Sequence, residues 1–478
     1  MRKLRSIHPL LWIIIVSAPF ILWGKTLILP TFDDWATLSS PNYDPAFLQY
    51  FLPYGSSWRP FDSLVGYVYS WIGCQWFPLL SHLLIFIAHL VSTFMVYRLC
   101  GSLRFSRLAQ AIATVFFYLS PCTLATIMAC DSLNQAYSQM WGLIAIWAYL
   151  NHRGRWRHVL WLGCVLLAAL SKENGLAWAV VPPILAYGFK RVDRKTCLRH
   201  LTLGVALAVG YAIVRLSLPL TEVYYEEYHS LLDLGKKVKA IAILLGYTFL
   251  PGDYIYLMHA PCRNILLFLL TLLPTLPFFW LLFRQVRVLV SREAVTLLGC
   301  ALIAASPNLL ITMSMMNAYA WLAMAALFVG LCAHHCTNKS LLQSFFVCYL
   351  AATTFTYVHH WYCTWQTSLP ARQMALEAIS QTGHRVDRVY VITVEEEQQK
   401  FSSFCTLPAD AFAWGRAVWG QTRFEWPREI GDTIVHSHTA PATIDSISAS
   451  ALRQGYECVW IVSDGHVRVE KDSLLQVH

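Results

Sequence analysis

Charge is what this 478-residue chain lacks. Asp, Glu, Lys and Arg make up only 13% of it, about half the share usual in soluble globular domains. Hydrophobic residues account for 56% and aromatic residues for 14%, and the mean hydropathy is +0.47. So few charges cannot coat a water-soluble globule, and so much apolar bulk excludes a disordered chain or a coiled coil. The chain also lacks any internal repeat, and its tail from about 366 lacks a phosphate-cradling glycine loop, a nucleophile elbow and zinc-type ligand spacing. Its 14 cysteines do not form a small disulfide scaffold. Cys164, Cys300, Cys332 and Cys348 lie in apolar stretches, where a thiol behaves as a small hydrophobe. Cys405 and Cys458 stand alone in the tail, where a bridge between them is open. What recurs instead is apolar runs of about 15–25 residues, the pattern of an α-helical polytopic membrane protein.

The runs predict eleven membrane helices near 8–24, 77–98, 108–128, 133–150, 158–171, 175–189, 200–219, 264–283, 294–312, 318–335 and 342–361. The first opens MRKLRS and has no small-residue cleavage site after it, so it reads as an uncleaved anchor. Net charge divides unevenly: residues 1–365 hold 26 Lys and Arg against 13 Asp and Glu, and residues 366–478 hold 10 against 14. Eleven crossings place the basic clusters at Arg2–Arg5, Arg98–Arg107, Arg153–Arg157, Lys190–Arg199 and Arg284–Arg292 on the cytoplasmic side. The acidic loops 25–76 and 220–235 then fall outside, as the positive-inside rule requires. A basic surplus of this kind belongs to membrane topology, and no nucleic-acid partner is expected. Residues 236–256 open with three lysines and close with Pro251-Gly252-Asp253; they read as a helix on or dipping into the outer face.

Residues 1–365 are thus expected to form the membrane domain and residues 366–478 a small α/β extracytoplasmic domain. The latter should contain a helix over 371–382, a strand over 388–394, a helix over 446–455, and a strand, turn and short strand after it.

Chemistry-bearing residues gather on the outer side. Phe32-Asp33-Asp34-Trp35 follows the first helix, and Ser57-Trp58-Arg59-Pro60 comes later in the same loop. Adjacent carboxylates can hold a divalent cation such as magnesium or manganese, or one can act as a general base; a solvated loop start gives the same pattern. Between two short helices lies Ser171-Lys172-Glu173-Asn174-Gly175, where Lys172 suits a phosphate and Glu173 an orienting role. The alternative is a plain ion pair at a turn. His82 and His89 are seven apart and share a helix face, which fits packing better than a metal pair. Asp131 ends the third helix and can cap the next. Arg215 can meet a phosphate or snorkel to the interface.

Taken together, these residues resemble the GT-C glycosyltransferases, nearest the dolichyl-phosphate-mannose–protein mannosyltransferase type. The likeness rests on the acidic pair after the first helix, the aromatic-Arg-Pro motif, His-x6-His, the Ser-Lys-Glu-x-Gly turn, Arg215, and GYTFLPGDYIY at 246–256 with its Pro-x-x-x-x-Tyr spacing. It covers roughly residues 8–260. The chain departs from the family in having no tetratricopeptide repeats. Ile85 stands near where an Asn is expected, and Met316-Asn317-Ala318-Tyr319 replaces an acidic-Arg or Arg-Tyr pair.

The resemblance implies a monosaccharide donor on a polyprenyl phosphate and an inverting transfer to a protein, lipid or glycan acceptor outside the cytoplasm. It implies Asp33 as base and Asp34 in an orienting role. Arg59, Lys172 and Arg215 would bind the donor phosphate, and Glu173, His82, His89 and Asp131 would position donor or acceptor. A cationic clamp makes a metal non-obligatory, with Asp33 and Asp34 as the place for one. The charge pattern leads to the expectation of a plasma (inner) membrane location with a cytoplasmic N-terminus and membrane lipids around the chain. The only Asn-x-Ser/Thr sequon, Asn338-Lys339-Ser340, in an expected cytoplasmic loop suits a bacterial one. Two other classes, a lipid-linked-sugar transporter or flippase and a non-catalytic envelope assembly protein, fit the hydropathy but leave the outer-face clustering of ionisable groups unused.

Overall fold

The structure is a computed structural model. It describes residues 77–129, 132–218, 234–250, 252–258, 264–309, 319–383, 389–395, 433–436, 441–463 and 466–471, with positions 14, 16–18, 58–61, 64, 65, 67 and 68 before them. The Asp33–Asp34 pair, Asp131, the acidic stretch 220–233, Met316-Asn317-Ala318 and Cys405 lie outside the described residues.

The membrane section is helical. Helices α1 (Phe77–Ser102), α2 (Arg107–Tyr118), α3 (Leu133–Asn151), α4 (Gly154–Ser171), α5 (Val181–Gly188), α6 (Arg194–Ser217), α7 (Leu234–Phe249), α8 (Arg292–Leu309), α9 (Tyr319–His335) and α10 (Lys339–Thr382) carry most of it. Among the described residues, stretches of α1, α6 and α10 are long and apolar enough to cross a membrane: Leu79–Ser102, Arg194–Ser217 and Lys339–Cys363. Helix α9 is buried on every side from Tyr319 to Ala333, as expected of a helix that is apolar all round. It forms the hub on which α1, α2, α3 and α8 pack.

Three expected helices are interrupted, each for a local reason. The run 108–128 stops at Tyr118 and restarts as a 3-10 turn at Pro121–Thr123. Ser120 caps that turn by accepting from the Cys122 N–H, and Pro121 sits where its missing N–H costs nothing. The run 175–189 is a 3-10 segment, Glu173–Ala179, followed by α5, whose start carries Pro182 and Pro183. The run 264–283 is broken into Ile265–Leu272, a 3-10 turn Leu273–Thr275 and Leu276–Arg284, with Pro274 and Pro277 at the breaks. In the other direction, α10 is one 44-residue helix that runs unbroken through residues 365 and 366, joining the expected 342–361 and 371–382 helices. At 1.5 Å per residue it extends roughly 66 Å.

After α10 come β1 (Val389–Glu395), β2 (Thr433–His436), α11 (Pro441–Arg453), β3 (Cys458–Ser463) and β4 (His466–Lys471). The sheet order is β2-β1-β3-β4; β1 is parallel to both β2 and β3, and β3 pairs antiparallel with β4. Ser463 pairs with His466 across Asp464-Gly465, the dipeptide most suited to a two-residue hairpin. Helix α11 covers one face through Ile444, Ile447, Ala451 and Leu452 against Ile392, Val459 and Ile461. The end of α10 is stitched to β4 and β3. The Gln381 amide donates to the Val467 carbonyl at 2.9 Å and accepts from the Val469 N–H at 3.2 Å. Thr382 accepts from the Trp460 indole at 3.2 Å, and Lys471 donates to the Thr382 carbonyl at 2.7 Å. Gln381 thereby occupies backbone groups of an edge strand that would otherwise be open to pairing.

Candidate functional site

Two motifs that the chain separates meet in space. Helix α4 ends at Ser171 because Lys172 adopts an extended conformation while its N–H still bonds the Ala168 carbonyl at 2.9 Å. The Gly175 N–H then closes on the Lys172 carbonyl at 2.8 Å. This turn lies so close to α4 that a Cβ on Gly175 would fall 2.3 Å from the Ala168 carbonyl carbon, so only glycine fits. The tight turn aims Glu173 at the Trp58-Arg59-Pro60 motif. Arg59 donates from Nε to Glu173 Oε2 at 3.3 Å, and the Trp58 N–H donates to Oε1 at 3.3 Å. The Trp58 ring stacks on Tyr211 of α6 with centroids 5.4 Å apart, and the Tyr211 hydroxyl donates to the Ala169 carbonyl at 3.2 Å. Arg215 follows Tyr211 by one helical turn.

Burial opposes ionisation of Glu173. The Arg59 guanidinium, the two backbone N–H groups of Glu173 and Trp58, and Lys172 outweigh it and hold the carboxyl below its ordinary range. The chain has thus gathered Trp58, Arg59, Lys172, Glu173 and the Tyr211–Arg215 turn of α6 into one cation-rich cluster. One carboxylate fixes the position of one arginine within it.

His89 does not join this cluster. Its Nε2–H donates to the Tyr118 carbonyl at 3.1 Å, and the Tyr319 hydroxyl donates to Nδ1 at 3.0 Å. Its ring stacks on Phe117 and Tyr118. These contacts join α1, α2 and α9 through His89. His82 is buried two turns from His89 on α1, and no group of three metal-ligating side chains forms among the described residues.

An apolar cavity of about 430 Å3 begins just beyond Pro60. It is lined by Phe61, Leu64 and Val68 from the loop side and by Leu80, Leu83 and Leu133 from α1 and α3. Val68 and Leu83 are themselves exposed, and Leu83 belongs to the outward stripe Leu79, Leu83, Ile87. The cavity therefore lies beside an exposed apolar stripe of α1.

A second cluster escaped the sequence reading. Asp253, fully buried, lies 2.5 Å through Oδ2 from His359 Nδ1 and 3.7 Å through Oδ1 from His360 Nε2. The Thr271 hydroxyl accepts from the Asp253 N–H, and the Ile255 N–H donates to Oδ1. Tyr256 stacks on the His359 ring at 4.8 Å. The 253–256 segment is thereby clamped to α10 at His359 and His360. The adjacent histidines in α10 were the available signal, since ionisable groups in an apolar helix usually have a partner.

No family model matches the chain, and no curated protein matches it. Among solved structures, its fold is similar to the crystal structure of ArnT from Cupriavidus metallidurans bound to undecaprenyl phosphate, at 12% identity and a TM-score of 0.46. That match covers 96% of this chain and 97% of the other. The apo structure of the same protein aligns over the same shares at 13% identity and a TM-score of 0.46. Likeness at this level sets no residue equivalences, and the site rests on the contacts above.

Proposed function

We propose that the chain is a membrane glycosyltransferase of the GT-C type that moves one sugar from a polyprenyl-phosphate carrier to an acceptor outside the cytoplasm. The observation that carries the reading is the meeting of Trp58-Arg59-Pro60 with the Lys172-Glu173 turn and the Tyr211–Arg215 turn of α6, next to an apolar cavity. A phosphate attached to a hydrocarbon chain needs cations at one end and a dry, apolar slot at the other, and these features supply both.

In the proposed step the acceptor hydroxyl gives its proton to Asp33 as its oxygen attacks the anomeric carbon. The bond from that carbon to the phosphate oxygen breaks on the opposite face, so configuration inverts. The electron pair leaves with the polyprenyl phosphate, whose growing charge Arg59, Lys172 and Arg215 stabilise. Glu173 keeps the Arg59 fork aimed, and Asp34 orients the acceptor or the base. The chain would need no nucleotide-sugar domain, because the donor arrives from the membrane. The acceptor is a protein Ser/Thr, a lipid or a surface glycan, and the setting a bacterial plasma membrane.

Membrane vesicles carrying the protein, supplied with a labelled polyprenyl-phosphate sugar and envelope acceptors, test this reading. Transfer should occur in the parent and vanish in Asp33→Asn at equal membrane abundance. Equal transfer by the two would remove Asp33 from the mechanism, and none in the parent would remove the function.

A further inference from the structure

Two glutamines in the interior of α3 are buried without the partners their amides require. Gln135 is 2% exposed and Gln139 1% exposed. Gln135 Oε1 and both amide atoms of Gln139 find no hydrogen-bond partner among the described residues. In a helix bundle this is expensive: an unsatisfied buried amide group costs about 1–3 kcal/mol, more where hydrocarbon surrounds the bundle. Other orphaned atoms, such as Thr126 Oγ1 and Trp141 Nε1, occur singly, whereas these three sit one turn apart on one helix face.

That face has a definite direction. Gln135, Ser138, Gln139 and Gly142 lie together at helical spacing. Ser138 donates to Asn174 Oδ1 at 3.1 Å, and a Cβ on Gly142 would come within 2.3 Å of the Trp178 ring. The face is therefore set against Glu173–Ala179, the segment whose first residue holds Arg59. The orphaned amides share the helix face that packs on the segment whose first residue is Glu173.

We infer that Gln135 and Gln139 bind the hydroxyl groups of the transferred sugar. A primary amide presents two donors and an acceptor, which suits the hydroxyls of a pyranose or furanose ring, each a donor and acceptor at once. A carboxylate there would add a charge beside the departing phosphate; an amide recognises the ring without one. The assignment rests on the glycosyltransferase reading and adds to it the residues that select the sugar.

The test replaces each glutamine by methionine, similar in length and apolar, and measures thermal stability together with transfer kinetics in parent, Gln135→Met and Gln139→Met. The expected result is a melting temperature equal to or above that of the parent, because an orphaned group has been removed. KM for the polyprenyl-linked sugar should rise or kcat fall, lowering kcat/KM roughly tenfold per bond lost. Unchanged kinetics at raised stability would mean that the amides are served by water alone and would overturn the inference. A fall in stability with a matching loss of activity would mark a packing role and overturn it equally. The parent separates the two readings: an active parent with unaffected variants sinks only the sugar assignment, and an inactive parent sinks the glycosyltransferase reading with it.

Discussion

Arg59 and Glu173, 114 positions apart in the chain, meet at 3.3 Å between Nε and Oε2, and through them the first loop is tied to the turn after α4. Both side chains are about one-third exposed, so the pair supplies position more than stability. Glu173→Gln should keep the Trp58 N–H bond, lose the ion pair and lower kcat/KM for the lipid donor by about tenfold. Arg59→Ala should cost more, because it also removes a phosphate donor. A double-mutant cycle checks the coupling: purely additive losses would mean that Glu173 does not act through Arg59.

The direction of the Glu173 shift sets a pH window. Its carboxyl is held below the ordinary range in the folded chain. The contact is therefore fully present above the unfolded-state pKa and is lost only as pH falls through the lower, folded value. Contact between the loop and the turn, followed by the stacking of Trp58 on Tyr211 in fluorescence, should be constant from about pH 7 to pH 5 and weaken at more acid pH. Loss of the signal on going up in pH would contradict the assignment.

His89 is expected to serve stability. His89→Ala removes two buried bonds to Tyr118 and Tyr319 and a stacked ring, and should lower stability by about 2–4 kcal/mol. The catalytic constants of the protein that remains folded should be those of the parent, as measured by activity per folded molecule after gel filtration.

Asp253→Ala leaves His359 and His360 facing a void and frees the 253–256 segment. Removing one partner of a buried pair costs about 3–5 kcal/mol, so membrane abundance should drop sharply, while Asp253→Asn should recover part of it. Equal abundance of the alanine variant and the parent would show that the clamp carries no weight.

The Gln381 contact makes a mechanical prediction. Gln381→Ala should raise amide exchange in β4, most at Val469, without changing exchange in α9. Unchanged protection at Val469 would mean that the sheet, not α10, holds that edge.

Part of the helical layout was legible because apolar runs obey strong rules; α1, α3 and α9 begin and end within a few residues of their apolar runs, whereas α4 and α6 extend backward through Arg155, Arg157, Arg194 and Arg199. The misses were local. Pro121, Pro182-Pro183 and Pro274 broke runs that hydropathy alone leaves whole, and the strand Thr433–His436 is too short to announce itself. The fusion of two expected helices into α10 came from reading a polar change near residue 366 as an end, although polar residues continue a helix well. Within the site, the Trp-Arg-Pro and Lys-Glu motifs were visible as separate oddities, but their meeting is a tertiary fact. The adjacent His359 and His360 called for a partner without saying that it was Asp253, and the two orphaned glutamines carried no signal, since an amide inside a helix looks ordinary until its surroundings are known.

Intact mass spectrometry of a deletion strain is the decisive measurement for the proposed transfer of a sugar to an acceptor outside the cytoplasm. Lipid A, surface glycan and exported proteins would be compared among the parent, the deletion, and the deletion complemented with the wild-type chain or with Asp33→Asn, Asp34→Asn. One acceptor class is expected to lose the mass of a single sugar unit in the deletion, restored by the wild-type chain and not by the double variant. Identical masses in all four strains, with the donor lipid present in each, would contradict it.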